Sequence, residues 1–469
     1  MYCYVGRKAY MLVRANFICR GEVLRKILFF LIFVSVLAFT ANQCSALISV
    51  ENSELALKSA TDSELCLEEG VGSLNGVTSI KRLAKMDSAV VKAIDGTASW
   101  TFMVYLDADN DLEPFCIDIF LDMSSVGSTP QVNIVVQMDR IPGHDDRYEA
   151  WEGCMRFNVT KDLTPTPGNA IQDLGEVNMG DPNTLTDFVN WAISSFPASR
   201  FCLVLMDHGS GSVDSVCVDE TSGKDWLTLP ELSQALSAIP RKMDLLYFDA
   251  CSMGMVEVAY QIRDYVDVMV ASEEVIWVGE SYDHYLSNLT ANPSMSPGEL
   301  AEVIKSSYIE FANVISRPST MSGVDLSQMS SLKTAVDSLA QKLNAAESSY
   351  NEEIRRARCQ AEGYMGPYKN MFGWYIDLYH FAQLIYDYIP DPNIRSDANQ
   401  VIALVSNAVI VEGHYDHPHS HGLSIFFPCK PKTDSNYANF MNEYQNSDFA
   451  IETLWDEFID YHVSITPSK

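Results

Sequence analysis

The chain has 469 residues, 47% hydrophobic and 20% charged, with a mean hydropathy of −0.02. These values exclude a polytopic membrane protein and a disordered one, and leave room for two or three compact units. Its 62 acidic against 32 basic side chains give a net charge of −30, a field that repels phosphate backbones, so nucleic acid is excluded as a partner. Eleven scattered cysteines without a CxxC pair are neither a disulfide scaffold nor a zinc knuckle.

Six basic residues (Arg7, Lys8, Arg14, Arg20, Arg25, Lys26) and one acid, Glu22, precede an apolar run from Ile27 to Ala41, and Cys44-Ser45-Ala46 supplies small residues behind it. This pattern predicts a signal peptide over 1–46, cut after Ala46. A retained anchor is the alternative, because the run and its flanks can stretch across a thin membrane. Only such an uncleaved segment would give the protein a membrane partner; otherwise it is expected to be secreted or at the extracellular surface. Removal of those seven charges leaves 26 basic against 61 acidic groups, a net −35, and eight cysteines. Residues 47–98 are polar and without sustained period, as in a leader or pro-segment.

From residue 99 the pattern alternates. Thr101 to Leu106, Val132 to Met138, Phe201 to Met206, Leu245 to Phe248 and Val266 to Ala271 read as strands, and Leu112 to Met123, Thr184 to Ser195, Leu229 to Ala238 and Met253 to Tyr265 as helices. Continuous apolar strands are buried on both faces, which predicts an α/β domain over 99–292 with a mainly parallel central sheet flanked by helices. Residues 293–469 read as a largely helical C-terminal part, with helices over Pro297 to Val314, Ser330 to Arg358, Ile376 to Tyr388, Ile394 to Val411 and Ala450 to His462. That part is expected to return one strand, Gly422 to Phe427, to the sheet.

Ligands gather beyond the carboxyl ends of strands in such sheets. Two strand exits carry reactive side chains, Asp207-His208-Gly209-Ser210-Gly211 and Asp249-Ala250-Cys251-Ser252-Met253-Gly254. A thiolate is the attacking form of cysteine, and a neighbouring imidazole with a helix start after Cys251 would lower the thiol pKa. Gly209 lets backbone approach a substrate, and its N–H with that of Cys251 could hold a developing oxyanion.

LVLMDHGSG at 203–211 and LLYFDACSMG at 245–254 resemble the His-Gly and Ala-Cys signatures of the caspase-like (clan CD) cysteine peptidases, specifically the clostripain family. MVYLDADNDLE, VDETSGKDWLTLPEL, ASEE and GLSIFFP agree with that family, over roughly Trp100 to Pro428. The resemblance implies a caspase-like sandwich, with His208 as general acid and base, Cys251 as nucleophile, and peptide or protein substrates. It also implies that the residue two before the nucleophile faces the pocket for the side chain preceding the cut. Asp249 stands there, and a carboxylate favours Arg or Lys; the alternative is that Asp249 caps the following helix. Where relatives carry a Pro-Gly-rich turn after ASEE, this chain reads VIWVGESYD, so the second acid of the pocket is expected to be Glu280 or Asp283. Family members are commonly made as one chain and nicked between the dyad residues, with Lys224 the expected processing site, Arg241 and Lys242 its rivals, and an uncut loop the alternative.

Asp207 either orients His208 or ends its strand. Asp107, Asp109 and Asp111 alternate like a calcium loop, but Leu112 replaces the turn glycine and Asp118 the twelfth-position Glu, which excludes an EF-hand. The chemistry requires no cofactor; the resemblance admits calcium dependence without naming ligands. His414, His417, His419 and His421 form either a transition-metal site or a solvated loop. The overall expectation is a clostripain-like cysteine endopeptidase made as a zymogen. The alternatives are a peptide ligase or transpeptidase, and a catalytically silent cell-surface binding module.

Overall fold

The computed structural model describes residues 97–364, 373–428 and 435–465, all within one compact unit. The expected signal peptide (1–46) and nearly all of the expected leader (47–98) lie outside the described residues.

Thirteen strands are described: β1 (Ala98–Ala108), β2 (Val132–Arg140), β3 (Gly153–Asn158), β4 (Gln172–Gly175), β5 (Ala198–Met206), β6 (Val216–Asp219), β7 (Asp225–Leu227), β8 (Met243–Asp249), β9 (Val266–Ala271), β10 (Ser319–Asp325), β11 (Tyr375–Asp377), β12 (Val409–Tyr415) and β13 (Ser424–Phe426). Nine form one sheet in the order β12-β10-β9-β8-β5-β1-β2-β3-β4. Its five central strands, from β9 to β2, are parallel. The two flanking pairs run antiparallel to their neighbours.

Helices α1 (Glu113–Val126), α2 (Pro182–Ser195), α3 (Leu229–Ser237), α4 (Val256–Ile262), α5 (Tyr282–Ala291) and α6 (Pro297–Ile315) cover the sheet. One face carries Met103, Tyr105, Leu203, Leu205, Leu246 and Phe248 into a core shared with α2, α3 and α4. The other carries Phe102 and Tyr247 against Tyr285 of α5. Continuous apolar strands thus form because neither face meets water. The C-terminal part adds α7 (Met329–Gln360), α8 (Leu378–Tyr388), α9 (Pro392–Ala408), α10 (Ser435–Tyr444), α11 (Asp448–Ile451) and α12 (Trp455–Ile465).

Two expectations are corrected. Gly422 to Phe427 does not join the central sheet: β13 pairs with β11 in a separate antiparallel ribbon. The strands that the C-terminal part does supply are β10 and β12. Both were missed in the sequence, β12 because Ile394 to Val411 reads as one helix, whereas α9 stops at Ala408 and Val409 opens the edge strand. Beyond Tyr415 the histidine-rich segment is turn and irregular loop. His417 lies 3.1 Å from both Glu274 and Glu362, His419 packs on His380, and His421 stacks on Tyr379.

Candidate active site

The sulfur and the imidazole come from adjacent parallel strands. β5 and β8 are in register to their last pair, Met206 and Asp249, and Asp207 N–H continues the contact to Asp249 O at 3.3 Å. His208 and Cys251 are each two residues further on. A Cβ on Gly209 would stand 2.4 Å from Cys251 O and 2.8 Å from Cys251 N, so the backbone after His208 lies directly on that of Cys251. Only glycine allows this approach.

The Cys251 turn is held by the exit of β9. Ser252 N–H donates to Glu274 O at 3.1 Å, and Gly254 N–H to Ser272 O at 2.7 Å. Ile276 N–H donates to Cys251 Sγ at 3.3 Å, a contact that favours the thiolate. Cys251 is partly exposed, and none of the six described cysteines is in a disulfide. The helix expected immediately after it begins only at Val256, so its dipole is not what the sulfur meets; the local N–H is.

His208 is held by Asp111, which accepts from Nε2 at 2.8 Å. That bond leaves Nδ1 as the nitrogen through which a proton can be exchanged. Burial pulls the imidazole pKa down, but Asp111 and the charge of Asp207 outweigh it and the net shift is upward. Of the two roles expected of Asp207, it takes the second, at the end of its strand, and makes no hydrogen bond to the ring: it accepts from Asn110 Nδ2 at 2.7 Å and from Val218 N–H, tying the exits of β1 and β5 to β6. Burial raises its pKa to about 6. The sequence reading missed Asp111. The signal was present, since an acidic tract leaving β1 must arrive beside the exit of β5, but it was read only against a calcium loop.

The N–H of Gly209 is outside the ladder that joins this segment to β6. That ladder uses Cys217 N–H to His208 O and Ser210 N–H to Ser215 O. The backbones of Gly209 and Cys251 are thus immediate neighbours.

Two residues before the thiol stands a buried acidic network. Asp249 accepts from Tyr282 OH at 2.6 Å and Glu280 from Tyr247 OH at 2.6 Å. Both carboxylates are about 5% exposed, at 5% and 4%, and neither makes an ion pair among the described residues. The second Glu280 oxygen is buried without a partner. Burial raises the Asp249 pKa to about 6 against the opposing bond from Tyr282, and burial with the charge of Asp249 raises Glu280 well above the usual range. Asp249 does not cap a helix: α4 has Met255 as its N-cap. Of the two expected partners only Glu280 joins it. Asp283, in the first turn of α5, is half-exposed and stands beside the network, which uses Tyr282 instead.

Lys224 lies in the β6–β7 hairpin loop, 70% exposed and 3.1 Å from Glu220. Arg241 stacks on Phe201 and pairs with Asp244, and Lys242 pairs with Asp267.

The profile of the clostripain family matches residues 104–462. The chain belongs to the clostripain family. Clostripain of Hathewaya histolytica is 27% identical over 408 residues, 72% of this chain and 76% of that one. A secreted C11 cysteine protease of Bacteroides thetaiotaomicron, solved with an irreversible peptide inhibitor, covers 78% of this chain and 99% of its own at a TM-score of 0.56 and 19% identity. An inactive zymogen C11 protease of Parabacteroides distasonis covers 76% and 98% at 0.56 and 17%. The fold of this clostripain-family cysteine protease is therefore theirs, and its substrates are peptides or proteins. No helix among the described residues is long and apolar enough to cross a membrane.

Proposed function

We propose that this protease is an endopeptidase cutting after Arg or Lys, with Cys251 as nucleophile and His208 as general acid and base. The observation that carries the reading is the seating of Gly209 on the Cys251 backbone, since it brings together, at one sheet edge, the two backbone segments that bear the thiol and the imidazole. The thiol proton passes to Nδ1 of His208 while the sulfur attacks the carbonyl carbon. The N–H groups of Gly209 and Cys251 face the developing oxyanion. The imidazolium protonates the leaving amine, and water, deprotonated by His208, resolves the thioester to acid and free thiol.

Preference for a cation before the cut rests on the Asp249–Glu280 pair, two buried carboxylates with no cationic side chain of their own among the described residues. Export to the extracellular side rests on the signal-like segment 1–46, and a zymogen nicked at Lys224 on the exposure of that hairpin.

The test compares the purified full chain with Cys251→Ala on fluorogenic peptides ending in Arg, Lys, Ala or Asp, with intact mass recorded for chain and products. Turnover after Arg and Lys only, lost together with internal nicking in Cys251→Ala, is expected. Nicking that persists in the pure variant refutes self-processing, and cleavage indifferent to the cation refutes the pocket assignment.

A further inference from the structure

The loop that follows His208 and Gly209 forms one wall of a cavity of about 620 Å3. The loop folds back on itself, with Cys217 N–H donating to His208 O at 3.3 Å and Ser210 N–H to Ser215 O at 2.7 Å. Its Ser212, Asp214 and Ser215 line the cavity, Trp226 of β7 supplies a second wall, and Glu443 of α10 a third.

The lining is acidic. Asp214 N–H donates to the Glu443 carboxylate at 3.3 Å, so two acidic side chains meet here, and burial together with the Asp214 charge pushes the Glu443 pKa upward. Among the described residues Lys224 is the one cationic side chain on the walls, and it is 70% exposed and pairs with Glu220 at 3.1 Å.

Acidic side chains at a surface are ordinary by themselves. Ser212 and Ser215 set this cavity apart: they are 5% and 1% exposed, and among the described residues their hydroxyl oxygens are buried without a hydrogen-bond partner. Buried hydroxyls nearly always find a partner, because leaving one unpaired is costly. Two carboxylates and two unanswered hydroxyls in one cavity call for a ligand rich in donors and positive in charge.

We propose that this cavity is a second substrate subsite, which takes an Arg or Lys side chain of the peptide other than the one before the cut. A guanidinium carries five N–H donors in a planar fork and no acceptor, and so matches a lining of carboxylate and hydroxyl oxygens. Its aliphatic stem can lie along the half-buried Trp226. The net charge of −30 draws basic segments toward the protein as a whole. Because the loop is tied to His208, the second basic residue stands within a few positions of the cut. The inference rests on the peptidase reading above and narrows its substrates to peptides with two basic residues close together. It does not depend on Asp249.

The experiment measures peptide binding to the full chain carrying Cys251→Ala by calorimetry, and turnover by the wild-type chain. The peptides carry Arg at the cut and, at each neighbouring position in turn, either Arg or its uncharged isostere citrulline. At one position Arg is expected to bind about tenfold more tightly than citrulline and to raise wild-type kcat/KM by a similar factor. Asp214→Asn combined with Glu443→Gln should bring that ratio close to one. Asp214→Lys should reverse it, so that Glu at the same position is preferred to Arg, an outcome that a misfolded variant does not produce. Absence of any position with a difference between Arg and citrulline, or a difference that survives both sets of substitutions, overturns the proposal. Binding of free arginine amide without any position dependence in the peptides overturns the assignment to substrate. Since binding is read in the Cys251→Ala chain, an inactive wild type, or one indifferent to the residue at the cut, refutes the dyad or the Asp249 reading separately from this one.

Discussion

Asp249→Asn is the substitution that most directly tests the buried acidic pair. Asn keeps the volume and can still accept from Tyr282 OH, now at 2.6 Å from the carboxylate, so the fold should tolerate it. What changes is charge. A guanidinium about 4 Å from an ionised carboxylate, in surroundings of effective dielectric about 20, interacts by about 4 kcal/mol. Part is recovered because removing the Asp249 charge, one cause of the raised Glu280 pKa, lets Glu280 ionise more readily. A net loss of about 3 kcal/mol corresponds to roughly a hundredfold in kcat/KM for an Arg substrate. The control is the same peptide with citrulline, an uncharged isostere of Arg, whose kcat/KM should change little. Because Glu280 compensates, adding Glu280→Gln should cost more in the Asp249→Asn background than in wild type, a non-additivity that only a shared ligand produces. The wild-type pair also has a pH signature. With the Asp249 pKa raised to about 6, the carboxylate is present above that pH, so Arg selectivity should fall as pH drops through 6. Equal losses for Arg and citrulline in Asp249→Asn would refute the reasoning.

Gly209→Ala would put a methyl 2.4 Å from Cys251 O, a backbone atom that cannot turn aside. It should cost about 1–3 kcal/mol of stability and most of the activity, and a variant with wild-type melting and turnover would contradict the seating. Asp111→Asn should lower kcat by about 10–100-fold with little change in KM, and should lower the His208 ionisation seen in the pH profile of kcat/KM, because Asp111 helps hold it up. His417, whose burial is outweighed by Glu274 and Glu362, titrates near 9. Its folded pKa exceeds the unfolded value, so its contribution, about 3 kcal/mol at most, is complete below pH ~6.5 and is lost as pH rises through 9. Chemical unfolding across that window should show the decline in wild type and a flatter profile in His417→Gln.

The sequence carried the alternation of apolar strands and helices because a strand covered on both sides must be apolar throughout, and that local requirement leaves a local signature. β1, β5, β8 and β9 were legible for this reason, as were the two strand exits ending in His208 and Cys251. The C-terminal part kept its helices legible but hid its strands: β10 carries serines and a glycine, and β12 lies half-exposed at the sheet edge, so neither is apolar enough to stand out. The same limit applies to Gly422 to Phe427, whose apolar text fits burial in either sheet and does not encode which partner strand it meets.

By itself, then, the chain's sequence determined which residues could react and that they leave strands of one parallel sheet, since strand character and residue type are properties of short segments. Only the tertiary structure decided that Asp111 and not Asp207 holds His208, and that Glu280 and not Asp283 joins the buried network of Asp249. The hydrogen bonds that do so, Asp111 with His208, Tyr247 with Glu280 and Tyr282 with Asp249, join residues 33 to 97 positions apart, and contact across such separations depends on strand order and register, which no local pattern records.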